Sequence, residues 1–225
     1  MGGVGELSQG DQFIPRPPGV RAGNPPPWQG WSEDRRRVGL TFLAERLAGR
    51  SVDRPAVSDP SAVLVPLYPD DDRAGETRVI LTRRSRNLRL HAGEVSFPGG
   101  RMEPGESPPE TALRESHEEI GLDPARVEII GGLEPLSTRS SASLILPLVG
   151  RIPDRPELTP NPDEVAAILD LSLLSLTEDG VHHSELWPWE GRMRTIHFFE
   201  VPGDTIWGAT AGLIHQLLLV GLGLS

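Results

Sequence analysis

Strand-like runs on either side of one long central helix, with a second helix closing the chain, predict a fold of the α/β or α+β class. Three observations carry that reading. Thr77 to Thr82 (TRVILT) and Thr195 to Val201 (TIHFFEV) are runs of strand length, rich in β-branched and aromatic residues. Ser107-Pro108-Pro109-Glu110 opens a stretch that closes at Gly121, the pattern of a capped helix. Leu213 to Leu224 is almost wholly apolar and reads as a final core helix. A chain of 225 residues is long enough to bury a substantial core.

Residues 1–31 are expected to form a flexible arm and residues 32–225 the folded domain. The first 30 residues hold seven Gly and six Pro, so they bury too little surface to offset their ordering entropy. Trp28 and Trp31 are suited to dock the end of this arm on the body. Ser32-Glu33-Asp34 reads as a helix start, and Val38, Phe42, Leu43 and Leu47 keep helical spacing to about Ala48. Pro60 to Leu67 is a short apolar strand whose end, or an edge, is marked by Pro66. Asp70 to Gly75 is a hairpin loop leading into the strand at Thr77.

Beyond the central helix, Val127 to Leu133 and Leu144 to Val149 are strand candidates. The polar loop between them, Ser137 to Ser141, is suited to face a substrate. Arg151 to Pro162 is a long connection, compatible with a lid and equally with an ordinary surface loop. Ile168 to Leu176 gives a strand and a short helix, and Ile206 to Ala211 opens the last helix. Trp187 and Trp189 read as loop residues, and His182-His183 as solvent exposed. The six His show no metal-ligand spacing along the chain.

Net charge is −10, which argues against nonspecific nucleic-acid binding through a basic surface, although residues 83–89 supply a local Arg-rich spot. Without cysteine there is neither a disulfide framework nor a thiolate metal site. The N-terminus lacks the basic and apolar segments of a signal peptide. Leu213 to Leu224 is 12 residues long and includes His215 and Gln216, so no membrane span is expected. These features together lead us to expect a soluble, cytoplasmic enzyme.

The chemistry concentrates between Gly99 and Leu122. With 100° of rotation per residue, Glu118 lies about 60° to one side of Glu115 and Glu119 about 40° to the other. All three share a face, while Leu113, Ser116 and Ile120 point toward a core. Packing like charges this way costs about 0.2–0.5 kcal/mol per pair on an exposed helix. A hard divalent cation removes that cost, because Mg²⁺ prefers oxygen ligands and joins carboxylates to phosphates. Arg114, with its planar fork, is suited to hold the carboxylates by pairing with Glu106 or Glu115.

From Gly100 the chain reads Gly, five residues, Glu106, seven residues, Arg114-Glu115, two residues, Glu118-Glu119, one residue, Gly121-Leu122. This resembles the signature of the Nudix hydrolases, which cleave a nucleoside diphosphate linked to another group. Ser116 departs from it, standing where the family usually has an aliphatic residue. Just upstream, Leu81, Thr82, Arg84, Ser85, Arg89, Gly93, Phe97, Pro98, Gly99 and Gly100 resemble the extra motif of the coenzyme A pyrophosphatase branch.

The resemblance implies an α/β/α sandwich with a mixed β-sheet. It implies a site in which Glu115, Glu118 and Glu119, with the backbone carbonyl of Gly99, hold Mg²⁺, or alternatively Mn²⁺. Glu106 and Arg114 belong to the catalytic set, and Glu115 or Glu164 is the base. Arg84, Ser85, Arg89, Phe97 and Gly100 fall on the substrate side, and Arg84 or Arg89 is suited to a 3′-phosphate. The implied partner is a small molecule of the coenzyme A type, and a homodimer is compatible with the sequence. The implied products are 3′-phosphoadenosine 5′-phosphate and 4′-phosphopantetheine. Two alternatives stay open: a diphosphatase for ADP-ribose, NADH or a nucleoside triphosphate, and a binding module of the same fold without turnover.

Overall fold

The computed structural model describes residues 12, 14–52, 60–70, 73, 75–88, 91–137 and 144–225. In chain order the elements are β1 (Arg21–Ala22), α1 (Glu33–Arg36), α2 (Leu40–Leu47), β2 (Ser61–Pro69), β3 (Thr77–Arg84), β4 (Val95–Ser96) and β5 (Gly99–Arg101). Then come α3 (Pro108–Ile120), β6 (Glu128–Gly132), β7 (Leu136–Ser137), β8 (Leu144–Arg151), β9 (Val165–Ser172), β10 (His182–Trp189), β11 (Arg192–Val201), β12 (Asp204–Trp207) and α4 (Gly208–Gly221).

The main sheet runs β4-β3-β2-β8-β6, with β5 added to β2, β7 to β8 and β9 to β3. It is mixed, because β2 and β8 pair in parallel while the other pairs are antiparallel. Strand alternation divides its side chains between two cores. Ala62, Leu64 and Tyr68 of β2 pack with Ala112 and Ile120 of α3. Val65 and Leu67 face the other way, toward Leu43 and Leu47 of α2 and Leu213, Ile214 and Leu217 of α4. The result is the expected α/β/α sandwich. A second sheet, ordered β1-β10-β11-β12, packs against α4 through Phe199 and Ile206.

Local readings of the sequence change in several places. The first helix is two helices, because Arg37 and Gly39 are extended. Val38 between them is buried, and its carbonyl accepts a hydrogen bond from Thr77 Oγ1 at 2.6 Å, a tertiary contact that outweighs helical continuation. β2 runs on through Pro66 to Pro69. Leu64 donates its amide to Pro98, on the β5 side, and Pro66 faces the same side, where neither β5 nor β3 lies opposite. A residue without an N–H is at no disadvantage there.

Ile206 and Trp207 belong to β12, paired with Phe199 and Phe198, and the last helix begins only at Gly208. Gly208 turns the chain from strand to helix with a φ of +65°. Trp187 and Trp189 lie in β10 rather than in a loop. Residues 14–31, expected as part of an arm, bury Ile14 and Trp28 and pair β1 with β10. Of the polar loop between β7 and β8, residues 138–143 lie outside the described residues. Among the described residues no helix is long and apolar enough to cross a membrane.

Candidate active site

α3 starts at a capping box: the amide and hydroxyl of Ser107 donate to Glu110 Oε2 at 2.8 and 2.7 Å. It stops at Gly121, left-handed with a φ of +68°. Its last carbonyls are taken by the connection after β8, where Thr159 donates to Ile120 and Asn161 to Glu119. The segment read as a lid or a surface loop is therefore fastened to the carboxylate helix. On the core face Ser116 is fully buried, and its hydroxyl donates to the Ala112 carbonyl at 2.6 Å. The departure from an aliphatic residue there leaves no unsatisfied group.

The acidic face of α3 lies against the Gly99-Gly100 turn that opens β5. Gly99 donates its amide to Glu119 Oε2 at 3.3 Å. A Cβ on Gly100 would come within 2.4 Å of the Glu115 carboxylate, so only glycine lets that carboxylate sit against the backbone. A Cβ on Gly99 would meet the Ala62 carbonyl oxygen at 2.4 Å, and its φ of +154° also suits glycine alone.

Arg114 uses its whole fork on this cluster. Nε donates to Glu106 Oε1 at 2.7 Å and Nη2 to Glu106 Oε2 at 3.1 Å. Nη1 donates to Glu115 at 2.9 Å and Glu118 at 3.1 Å, and Nη2 also reaches the Arg101 carbonyl at 3.3 Å. Both pairings expected of Arg114, with Glu106 and with Glu115, are thus present together. Arg114, with help from Thr111 Oγ1 and the Glu103 amide, holds the Glu106 carboxyl down to about 2.

The remaining acids are less well compensated. Glu119 is 3% exposed, and burial pushes its carboxyl up to about 8, against the pull of Arg84 and the Gly99 amide. Burial likewise raises Glu115, although Arg114 opposes it. Glu164 adds negative charge near both carboxylates. Its backbone is fixed by Ser85, whose amide donates to the Glu164 carbonyl at 2.8 Å. No hydrogen bond from a described residue holds the Glu164 side chain. Arg84 Nη1 stands 3.9 Å from Glu119, and Arg84 Nε is buried without a hydrogen-bond partner.

This arrangement fits a hard divalent cation. The donors are all oxygens, the glycine turn leaves room for close backbone approach, and buried Glu119 has only an amide and a distant guanidinium to balance it. Glu118, on the same face, has a half-exposed side chain at the rim.

The substrate-side residues divide. Arg84 and Gly100 lie at the carboxylates. Ser85 is buried, supporting Glu164 through its backbone and accepting the Asn87 amide on Oγ at 3.4 Å. The Phe97 side chain is not on the substrate side: it is buried in the core on the α4 face of the sheet, opposite α3. It lies between β4 and β5 and joins Val95, two residues before it, in that core. Arg89 lies outside the described residues. His91 is exposed with a φ of +56°, and its Nδ1 lies 2.9 Å from Glu94.

Sequence reasoning missed the fastening of α3 by Thr159 and Asn161, which works through backbone amides and carries no residue signature. It also missed a histidine cluster. His182 is buried rather than exposed, and it meets His197 and His215 across two strands and a helix.

A family model described as "NUDIX domain" matches residues 59–190. "Nudix hydrolase 3" of Caenorhabditis elegans is 43% identical over 195 residues, covering 75% of this chain and 76% of that protein. "Nudix hydrolase 22, chloroplastic" of Arabidopsis thaliana is 43% identical over 167 residues, covering 71% of this chain and 54% of that protein. The chain thus spans about half the length of this plant relative and of "Nudix hydrolase 15, mitochondrial" from the same plant. "Uncharacterized Nudix hydrolase NudL" of Photorhabdus laumondii is 39% identical over 140 residues, covering 62% of this chain and 74% of that protein. Among solved structures, a MutT/nudix family protein from Enterococcus faecalis aligns at a TM-score of 0.45 and 19% identity, covering 75% of this chain and 62% of that one.

Proposed function

We propose that this chain, which belongs to the Nudix family, hydrolyses the diphosphate bridge of coenzyme A or its derivatives with the help of Mg²⁺ or Mn²⁺. The observation that carries the reading is the carboxylate face of α3 laid against the Gly99-Gly100 turn, with Arg84 beside it. Coenzyme A is chosen over other diphosphates because residues 81–100 resemble the motif of that branch.

Glu115, Glu119 and the Gly99 carbonyl would hold the ion, with Glu118 at the rim. Bound there, it would supply Lewis acidity to the phosphoryl oxygens and lower the pKa of its water. The rest falls to the protein. Arg114 keeps Glu115 and Glu118 in place by fixing them to Glu106. Glu164, whose side chain no described residue fixes, takes the proton of the attacking water. Arg84, partly exposed beside Glu119, offers its guanidinium to a phosphoryl oxygen, where it balances charge that grows in the transition state. Arg89 is proposed as the reader of the 3′-phosphate.

The test is mass spectrometry of products from coenzyme A, ADP-ribose and NADH, each with and without Mg²⁺. The expected outcome is Mg²⁺-dependent release of 3′-phosphoadenosine 5′-phosphate and 4′-phosphopantetheine, with coenzyme A the fastest substrate. Faster turnover of ADP-ribose or NADH would overturn the substrate and keep the reaction. Binding without turnover of any of them would overturn the reaction. Arg89→Ala should lose more activity on coenzyme A than on dephospho-coenzyme A, and equal losses would remove it from 3′-phosphate recognition.

A further inference from the structure

We infer that His182, His197 and His215 form a second metal site, for a transition-metal ion of the zinc type, that ties the second sheet to the C-terminal helix. The three residues come from β10, β11 and α4. In the β10–β11 ladder Ser184 lies opposite His197 and His182 opposite Phe199, so His182 and His197 are diagonal neighbours on one face. α4 brings His215 against them, its ring stacked on His197 with centroids 3.9 Å apart.

The fold brings three imidazoles together, and His215 would turn out of its stack on His197 for all three nitrogens to face one ion. One ligand atom from each ring lies within 4.8 Å of the others, the sole such set of three among the described residues. Nitrogens bound to one zinc ion at about 2.0–2.1 Å stand roughly 3.3 Å apart. His182 Nε2 and His197 Nδ1 are already 3.0 Å apart. The same rings are poorly satisfied as an ordinary polar cluster. They share that one hydrogen bond, and His182 Nδ1 is buried with no partner.

Burial keeps His182 down to about 3 and His215 down to about 4, and it lowers His197 as well. Neutral imidazole is the form that ligates a metal. Imidazole donors favour zinc, copper and nickel over the magnesium and manganese that suit carboxylates, so the two sites differ in chemistry. A groove of about 550 Å³ lined by Pro25, Gln29, Glu178, His182 and Ser184 borders the cluster on the His182 side. Trp28, fully buried, covers His182 and His215 with centroids 5.5 Å away.

The test is zinc titration of chelator-treated full-length protein by equilibrium dialysis and elemental analysis. It uses the wild type, Glu119→Gln, His197→Ala and His215→Gln. Glu119→Gln should keep one equivalent of zinc, and each histidine variant in that background should bind it at least tenfold more weakly. Circular dichroism confirms that the variants fold. Loss of zinc from Glu119→Gln, or zinc binding unchanged in both histidine variants, would overturn the site. As an independent readout, Co²⁺ bound to Glu119→Gln should give a visible absorption spectrum that His215→Gln abolishes, and an unchanged spectrum would overturn it. Neither readout depends on turnover, so the outcome is separable from that for the diphosphatase.

Discussion

Two adjacent glycines do different work at the candidate site. A Cβ on Gly99 meets backbone, the Ala62 carbonyl and the Val63 Cα at 2.6 Å, at a φ of +154°. The three atoms nearest one on Gly100 all belong to the carboxyl end of the Glu115 side chain. Gly99→Ala should therefore cost about 1–3 kcal/mol of stability by chemical denaturation. Gly100→Ala should leave stability nearly unchanged and displace the Glu115 carboxylate, lowering kcat. Equal stability losses in the two variants would remove the distinction. Arg114→Lys keeps the charge but not the fork that spans Glu106, Glu115 and Glu118. It should lower activity or metal affinity about 10–100-fold, the range for supports of metal ligands. The three glutamates were legible because helix spacing alone sets which residues share a face, whereas the sequence left Glu106 and Glu115 as alternative partners of Arg114, and the fold supplies both. Phe97 was not, because the sequence does not say which core a residue beside a glycine turn enters. The histidines were not, because pairing across strands and docking of α4 bring them together.

At the scale of the element, α3 is held at both ends and along one side. Ser107→Ala removes the hydroxyl of the capping box and should cost about 0.5–2 kcal/mol, read from the denaturation midpoint. Glu106 links the loop before α3 to Arg114, and its pH dependence has a definite sign. Its folded pKa, about 2, lies below the usual 4.5, so its stabilisation is complete above about pH 4.5 and fades as pH falls toward 2. Wild type and Glu106→Gln should differ most in stability above pH 4.5 and converge near pH 2, by denaturation at a series of pH values. A constant difference would show that the ion pair is not its source. α3 could be read from end to end because caps, proline and glycine are local signals. The break at Arg37–Gly39 and the passage of β2 through Pro66 depend on the Thr77 bond and on which strands lie opposite, and neither is local.

Across the whole molecule, one sheet separates two cores, and the acid-bearing helix occupies a face of its own. The run of strands around α3 predicts only an α/β or α+β class; the mixed sheet between two helical layers was implied by the family resemblance, and the second sheet and the docking of residues 14–31 on it depend on assembly. The site also carries a cost to the fold, because Glu119 is buried among acids. Metal-free Glu119→Gln should melt no lower than the wild type, and adding Mn²⁺ should raise the Tm of the wild type alone. A variant that melts well below metal-free wild type would mean that Glu119 is a structural residue.

The claim beneath all of this is that one face of α3 grips a divalent cation. Electron paramagnetic resonance of free Mn²⁺, titrated into wild type and Glu119→Gln, measures it directly, and carboxylate sites suit this ion while imidazole clusters do not. The expected result is loss of the free-ion signal with the wild type and its persistence with the variant. Equal binding by the two proteins, or no binding by either, would contradict the account.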